Sequence, residues 1–165
     1  MGNTHGRFRQ LPPGAAPLAA RSSVPEPGPV STPITIQVNF PVDDVGLSRL
    51  HAAAWGHEPG EVSSWGDRLR QHSLSWVGAF RQDSLVGFVH ACWDGGLHAF
   101  LLDTVVDPDH QRQGVGRELV RELVEQVRAA GCEWLHVDYE PHLSSFYRDA
   151  CGFKATHAGL LNLSR

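Results

Sequence analysis

The segment Val105-Val-Asp-Pro-Asp-His-Gln-Arg-Gln-Gly-Val-Gly-Arg117 constrains this chain more than any other. A β-branched apolar run is stopped by Asp107-Pro108. A polar loop follows, with two glycines one residue apart, and a long amphipathic helix begins at once. Val115, Leu119, Val120, Leu123, Val124 and Val127 form its apolar stripe over residues 114–130, and Gly131 stands where a helix C-cap belongs. The first N–H groups of such a helix have no intrahelical partner, and glycines let a ligand come close to them. That combination suits an anion such as phosphate, to which Arg112 and Arg117 could add charge. No GK[ST] follows the glycines, and Leu119 occupies the place of a third dinucleotide-binding glycine, so both nucleotide fingerprints fail. Taken alone, the same residues also describe an ordinary glycine turn before a helix.

The remaining pattern predicts an α+β domain. Residues 34–40 alternate and are rich in β-branched side chains, which reads as a strand ended by Pro41. Residues 42–55 and 62–74 read as two helices, the second weaker, around a turn at 56–60. Strands are expected at 76–81, 85–93 and 98–106. Gln82-Asp83-Ser84 and Asp94-Gly95-Gly96 are their turns, which gives an antiparallel meander. A strand at 133–139, a short helix at 141–151 and a last strand or hairpin at 152–163 complete the order. Seven of the eleven prolines lie in residues 1–33, which lack apolar periodicity. The reading is a Pro-rich disordered tail over 1–33 and one folded domain over 34–165. Pro12, Pro13 and Pro17 break up what a signal peptide needs as an apolar stretch, so export is not expected.

Several function classes drop out. With 14 basic and 18 acidic side chains the net charge is −4, which speaks against nucleic acid as a partner. No apolar run approaches a membrane span, so a soluble chain without a membrane partner is expected. Cys92, Cys132 and Cys151 are odd in number and lack CxxC spacing. Free thiols in a reducing, cytoplasmic setting fit better than a disulfide framework. No H-E-x-x-H occurs, and no metal site is expected.

Gln111-Arg-Gln-Gly-Val-Gly116 resembles the Q/R-x-x-G-x-G/A pyrophosphate loop of the GNAT superfamily of N-acetyltransferases. The resemblance extends upstream to Val106-Asp-Pro. Downstream it runs through the helix, the strand at 134–139 and Phe146-Tyr-Arg-Asp-Ala-Cys-Gly-Phe153. About 130 of the 165 residues are covered. It implies the acyl-CoA N-acyltransferase fold, with a mixed, mostly antiparallel central sheet flanked by helices. It implies acetyl-CoA as co-substrate and direct transfer of its acetyl group to a primary amine on a small molecule, peptide or protein, by a monomer or homodimer. The loop residues Gln111, Arg112, Gln113, Gly114, Val115, Gly116 and Arg117 would hold the pyrophosphate. Val105 and Val106 would pair with the pantetheine arm where two strands splay apart.

The resemblance also suggests chemical roles. Tyr147 is the candidate acid, Glu140 and Asp103 are candidate carboxylates for base work, and His110 is placed to contact the cofactor. Tyr147 stands five residues before Gly152, where the family more often has four, and one extra helical residue turns a side chain by about 100°. That irregularity keeps open the alternative of a non-catalytic sensor or interaction module of the same fold that binds acetyl-CoA or another acyl-CoA. Asp103 differs in strand parity from His98 and Phe100, so only one set faces the cleft unless a bulge intervenes. His98 is the mirror candidate for base. The five tryptophans read mostly as core, with Trp55 and Trp65 near the connection where the family builds its acceptor pocket.

Overall fold

A computed structural model describes residues 32–164. The expected tail over 1–33 therefore lies almost wholly outside the described residues. In chain order the elements are β1 (Ile34–Val38), α1 (Asp44–Ala54), α2 (Trp65–His72), β2 (Ser73–Arg81), β3 (Ser84–Trp93), β4 (His98–Val106), α3 (Val115–Ala129) and β5 (Trp134–Val137). The five strands form one sheet in sequence order. The first four pair antiparallel and β5 joins β4 in parallel, the connection being α3. The mixed, mostly antiparallel α+β sheet expected from the sequence is thus observed.

Each face of the sheet buries a different helical layer. The stripe of α3 packs Val115, Leu119, Val120, Leu123 and Val127 onto Val77, Ala79, Val89, Ala91, Ala99 and Leu101. The other face takes Leu47 and Leu50 from α1 and Trp65 and Leu69 from α2, against Phe40, Phe88 and Val105. The Asp43 carboxylate caps α1 by accepting from the Val45 N–H at 3.1 Å. No helix among the described residues is long and apolar enough to cross a membrane.

One irregularity positions the site. Phe88 pairs with Val105 and His90 with Leu102, so Val89 alone stands opposite both Asp103 and Thr104. Asp103 absorbs the extra residue with φ +53°, which makes a β-bulge in β4. Before it, Ala99 and Leu101 point to α3. After it, Val105 points to α1 and α2. The bulge resolves the parity conflict by bringing Asp103 onto the side of Phe100.

Four expectations are corrected. Residues 73–74 belong to β2 rather than to the second helix, because Ser73 already pairs with Cys92. Residues 141–151 are not an α-helix but a 3₁₀ turn at Pro141–Leu143 followed by a π-helix at Ser145–Ala150. Residues 154–164 form no strand. Gly159 interrupts any alternation there, and Leu160, Leu161 and Leu163 are exposed. Among the tryptophans only Trp65 is buried, while Trp55, Trp93 and Trp134 are exposed.

Candidate functional site

The polar loop after β4 has the backbone of an anion cradle. Arg112 (φ +57°) and Gly114 (φ +86°) are left-handed and Gln113 between them is not. Alternation of this kind turns successive N–H groups inward as a nest, here immediately before the start of α3. Gly114 is the N-cap of α3 and supplies no side-chain cap bond. The two glycines serve different purposes. A Cβ on Gly114 would meet open space, so only its φ demands glycine. A Cβ on Gly116 would lie 3.2 Å from Phe146 Cζ and 3.6 Å from Val106 Cγ2, so its lack of a side chain seats Phe146 against α3. Val115 is buried and offers the loop only its backbone. Arg112 and Arg117 are exposed at the rim. His110 has a neighbour at each ring nitrogen. Its Nδ1 lies 3.1 Å from Asp107 Oδ1 and its Nε2 lies 3.2 Å from the Arg81 guanidinium.

Beside this loop the sheet opens. β5 pairs with β4 only from His98 to Leu101, and β4 runs on to Val106. Among the described residues the backbone from Leu102 to Val106 therefore has no strand partner on its β5 side, where it borders a gap. Val105 sends its side chain into the α1–α2 core and Val106 towards Gly116, so both present only backbone to the gap. The Gln111 side-chain amide donates to the Val106 carbonyl at 3.1 Å.

Tyr147 sits on the α3 side of this gap, almost wholly buried. Its ring stacks on Tyr139 at 4.9 Å and meets Phe146 and Phe153 edge-on. The Cys151 N–H donates to the Phe146 carbonyl at 3.0 Å, five residues back. The extra residue before Gly152 is thus taken up by a π-turn, and the ring is not rotated outward. Burial pushes the phenol above its ordinary value; the neighbouring Thr104 hydroxyl lowers it and Cys151 raises it. Thr104 Oγ1 is buried and makes no hydrogen bond of proper geometry among the described residues, so its influence on the phenol is one of proximity.

Asp103 lies on the opposite side of β4. Oδ2 accepts from Arg68 Nη2 at 2.6 Å and from His90 Nε2 at 3.0 Å, and Oδ1 lies 3.3 Å from His51 Nε2. Ser73 Oγ lies 2.8 Å from His90 Nδ1. The Arg68 guanidinium carbon stands 4.0 Å over the Trp65 ring, which also packs on His51. Burial would raise the Asp103 carboxyl, but the hydrogen bond and charge of His90, then Arg68 and His51, hold it at about 2. A carboxylate so acidic is a weak proton acceptor, which argues against the expected base role for Asp103. Glu140 is exposed, just before the Pro141–Leu143 turn, and makes no polar side-chain contact among the described residues. The structure thus does not gather Asp103, Glu140 and Tyr147 into one cluster. His98 Nδ1 is 2.8 Å from His136 Nε2 on the exposed sheet face.

Next to the Asp103 cluster is a cavity of about 290 Å³ between α1 and the α1–α2 connection. Ser48, His51, Trp55, Glu61, Ser63 and Trp65 line it, so the two tryptophans singled out around the α1–α2 connection border one cavity. His51, His90, Arg68 and Ser73 did not stand out in the sequence. A signal for His51 existed, since Leu47, Leu50, His51 and Ala54 follow the i, i+3, i+4, i+7 pattern of a buried stripe. No group of three or more metal-binding side chains occurs among the described residues.

The family model described as "Acetyltransferase (GNAT) family" matches residues 45–153. The uncharacterized N-acetyltransferase ycf52 of Porphyra purpurea is 39% identical over 64 residues, which are 39% of this chain and 37% of that protein. The chain thus spans well under half the length of that curated relative. A putative acetyltransferase of Agrobacterium tumefaciens superposes with a TM-score of 0.69 at 21% identity, over 79% of this chain and 99% of that one. The aminoglycoside N-acetyltransferase AAC(6')-Iy, solved in complex with CoA, gives 0.66 at 21% identity, over 83% and 98%. Likenesses at this identity show the fold.

Proposed function

Because the chain belongs to the acetyltransferase (GNAT) family, we propose that it transfers the acetyl group of acetyl-CoA directly to a primary amine. The observation that carries the proposal is the adjacency of the anion nest at 111–117 to the β5-side edge of β4. Pyrophosphate needs convergent N–H donors and a positive helix end. A pantetheine arm carries amide groups that need strand-like partners, which the backbone of Val105 and Val106 can offer. The residues present therefore fit acetyl-CoA. The cofactor supplies an acetyl thioester.

The chain's own residues then have distinct tasks. Backbone N–H groups of Gln111 to Arg117 hold the pyrophosphate, with Arg112 and Arg117 adding charge. Tyr147, a phenol protonated at neutral pH and pushed further up by burial, gives a proton to the leaving thiolate. The non-catalytic alternative rested on the Tyr147 spacing, and the π-turn removes that objection. The cavity lined by Trp55 and Trp65 favours an amine on a flat, apolar body, with Glu61 to meet a cationic nitrogen. We also propose a reducing, cytoplasmic setting, in keeping with three free thiols.

The test is release of CoA thiol by the full chain with acetyl-CoA and a panel of arylalkyl, aliphatic and sugar amines. Turnover, highest on the arylalkyl amines, is expected. Binding of acetyl-CoA with no turnover on any amine would overturn the enzymatic reading in favour of a binding module.

A further inference from the structure

Two histidines share one carboxylate in this fold, and they are not equivalent. His90 is buried, and both of its ring nitrogens are engaged, by Ser73 and by Asp103. An ionised carboxylate only accepts, so His90 donates from Nε2, and Ser73 occupies its Nδ1 whichever of the two carries that proton. His90 is thereby fully committed. His51 uses only Nε2, towards Asp103 Oδ1 at 3.3 Å. By the same logic Nε2 carries a proton, and Nδ1, which has no hydrogen-bond partner among the described residues, offers a lone pair in the neutral ring. The His51 ring is about one third exposed and lines the cavity beside Trp55 and Trp65.

We propose that His51 is the residue that takes the proton from the acceptor ammonium, with Asp103 fixing its tautomer and His90, Arg68 and Ser73 fixing Asp103. The proposal rests on the acetyltransferase reading and deepens it. An ammonium in the cavity gives one proton to His51 Nδ1. The neutral nitrogen then attacks the thioester carbonyl carbon, forming a C–N bond as the C–S bond breaks. The second nitrogen proton replaces the one Tyr147 gives to the sulfur, and His51 passes the first to solvent. The net products are an amide, CoA thiol and one proton. The geometry gives His51 what general bases require: one nitrogen held by an orienting carboxylate and one open to the site. The charged and titratable groups around it are Asp103 from β4, Arg68 from α2, His90 from β3 across Asp103, and His57 and Glu61 from the α1–α2 connection.

The experiment measures kcat/KM against pH for wild type, His51→Gln and His51→Ala, with the amine that turns over fastest in the panel. CoA affinity by calorimetry reports an intact fold. Both variants are expected to keep CoA affinity within about twofold and to lose about 100-fold in turnover, the lower range of a positioned general base. His51→Gln should lose the limb along which kcat/KM rises with pH. Added imidazole should restore part of the His51→Ala rate. A wild-type pH profile in His51→Gln, or a His51→Ala deficit that imidazole does not lift, overturns the assignment while the acetyltransferase reading stands. Absence of turnover by wild type on every amine overturns both.

Discussion

The loop at 111–117 and the cluster around Asp103 sit at the same end of β4 but are built in opposite ways. The loop is contiguous and works through backbone, with φ values at Arg112 and Gly114 doing what side chains do elsewhere. The cluster draws single side chains from α1, α2, β3 and β4, at sequence separations of 52, 35 and 13 residues from Asp103. A contiguous backbone site depends on glycine geometry, at Gly114 through φ and at Gly116 through the space beside Phe146, more than on any one side chain's charge. A dispersed side-chain site is the reverse.

The strongest way to test that contrast is Gly116→Val. A Cβ there already stands 3.2 Å from Phe146, and branching leaves no room. Phe146 must move, and overpacking of this kind costs about 1–3 kcal/mol. We expect CoA affinity to fall at least about 100-fold by calorimetry. Gly114→Ala should cost less, because only a left-handed φ opposes it, at about 1–2 kcal/mol. If Gly116→Val retains wild-type CoA affinity, the loop is not the cradle.

Tyr147→Phe comes next. It keeps the ring stacking on Tyr139 and removes only the hydroxyl. Turnover should fall about 100-fold, the lower end of the range for a proton donor, with CoA affinity and melting temperature unchanged. Wild-type turnover would make Tyr147 packing alone.

How much of this was legible in the sequence follows from the same contrast. The Gln111–Gly116 loop and the α3 stripe are local patterns, and both stand where the spacing predicts. Tyr147 was legible as a residue but not in its seating, because an extra helical residue can rotate a side chain or form a π-turn, and packing against Tyr139 and Phe153 decides between them. Asp103 was visible as a buried acid on a strand, yet its side depended on a bulge. That bulge is a pairing irregularity with β3, and nothing within β4 announces it. His51 and His90 become partners only when α1 and β3 meet across β4, which no local period records.

Asp103 should report on the cluster through stability. Its carboxyl drops from an ordinary 3.8 to about 2 in the fold. A depressed folded value stabilises the native state above the unfolded value, and that stabilisation is lost as pH falls through the folded one. At about 1.4 kcal/mol per unit the contribution is roughly 2 kcal/mol, lost between about pH 4 and pH 2. Urea unfolding of Asp103→Asn at pH 7 should show a loss of that order, with CoA affinity kept, and a flatter profile below pH 4. An equal acid dependence in wild type and variant would show that the cluster contributes nothing to folding.

The smallest effect isolates burial from geometry. Arg128 meets Glu125 at 2.6 Å on the outer face of α3, the same distance at which Arg68 meets Asp103. The partners of the α3 pair are 66% and 58% exposed, whereas Asp103 is 25% exposed and braced by two further donors. Water screens the first pair, and holding two long side chains in register costs entropy, so a helical pair of this kind contributes about 0.3–0.5 kcal/mol. Arg128→Ala should therefore shift the urea midpoint barely beyond error, and 1 M salt should erase the difference. Arg68→Ala, which removes a donor from a carboxylate only one quarter exposed, should cost more and respond less to salt. Equal costs for the two variants would mean that distance alone sets the energy, and that the Asp103 cluster is a surface contact like any other.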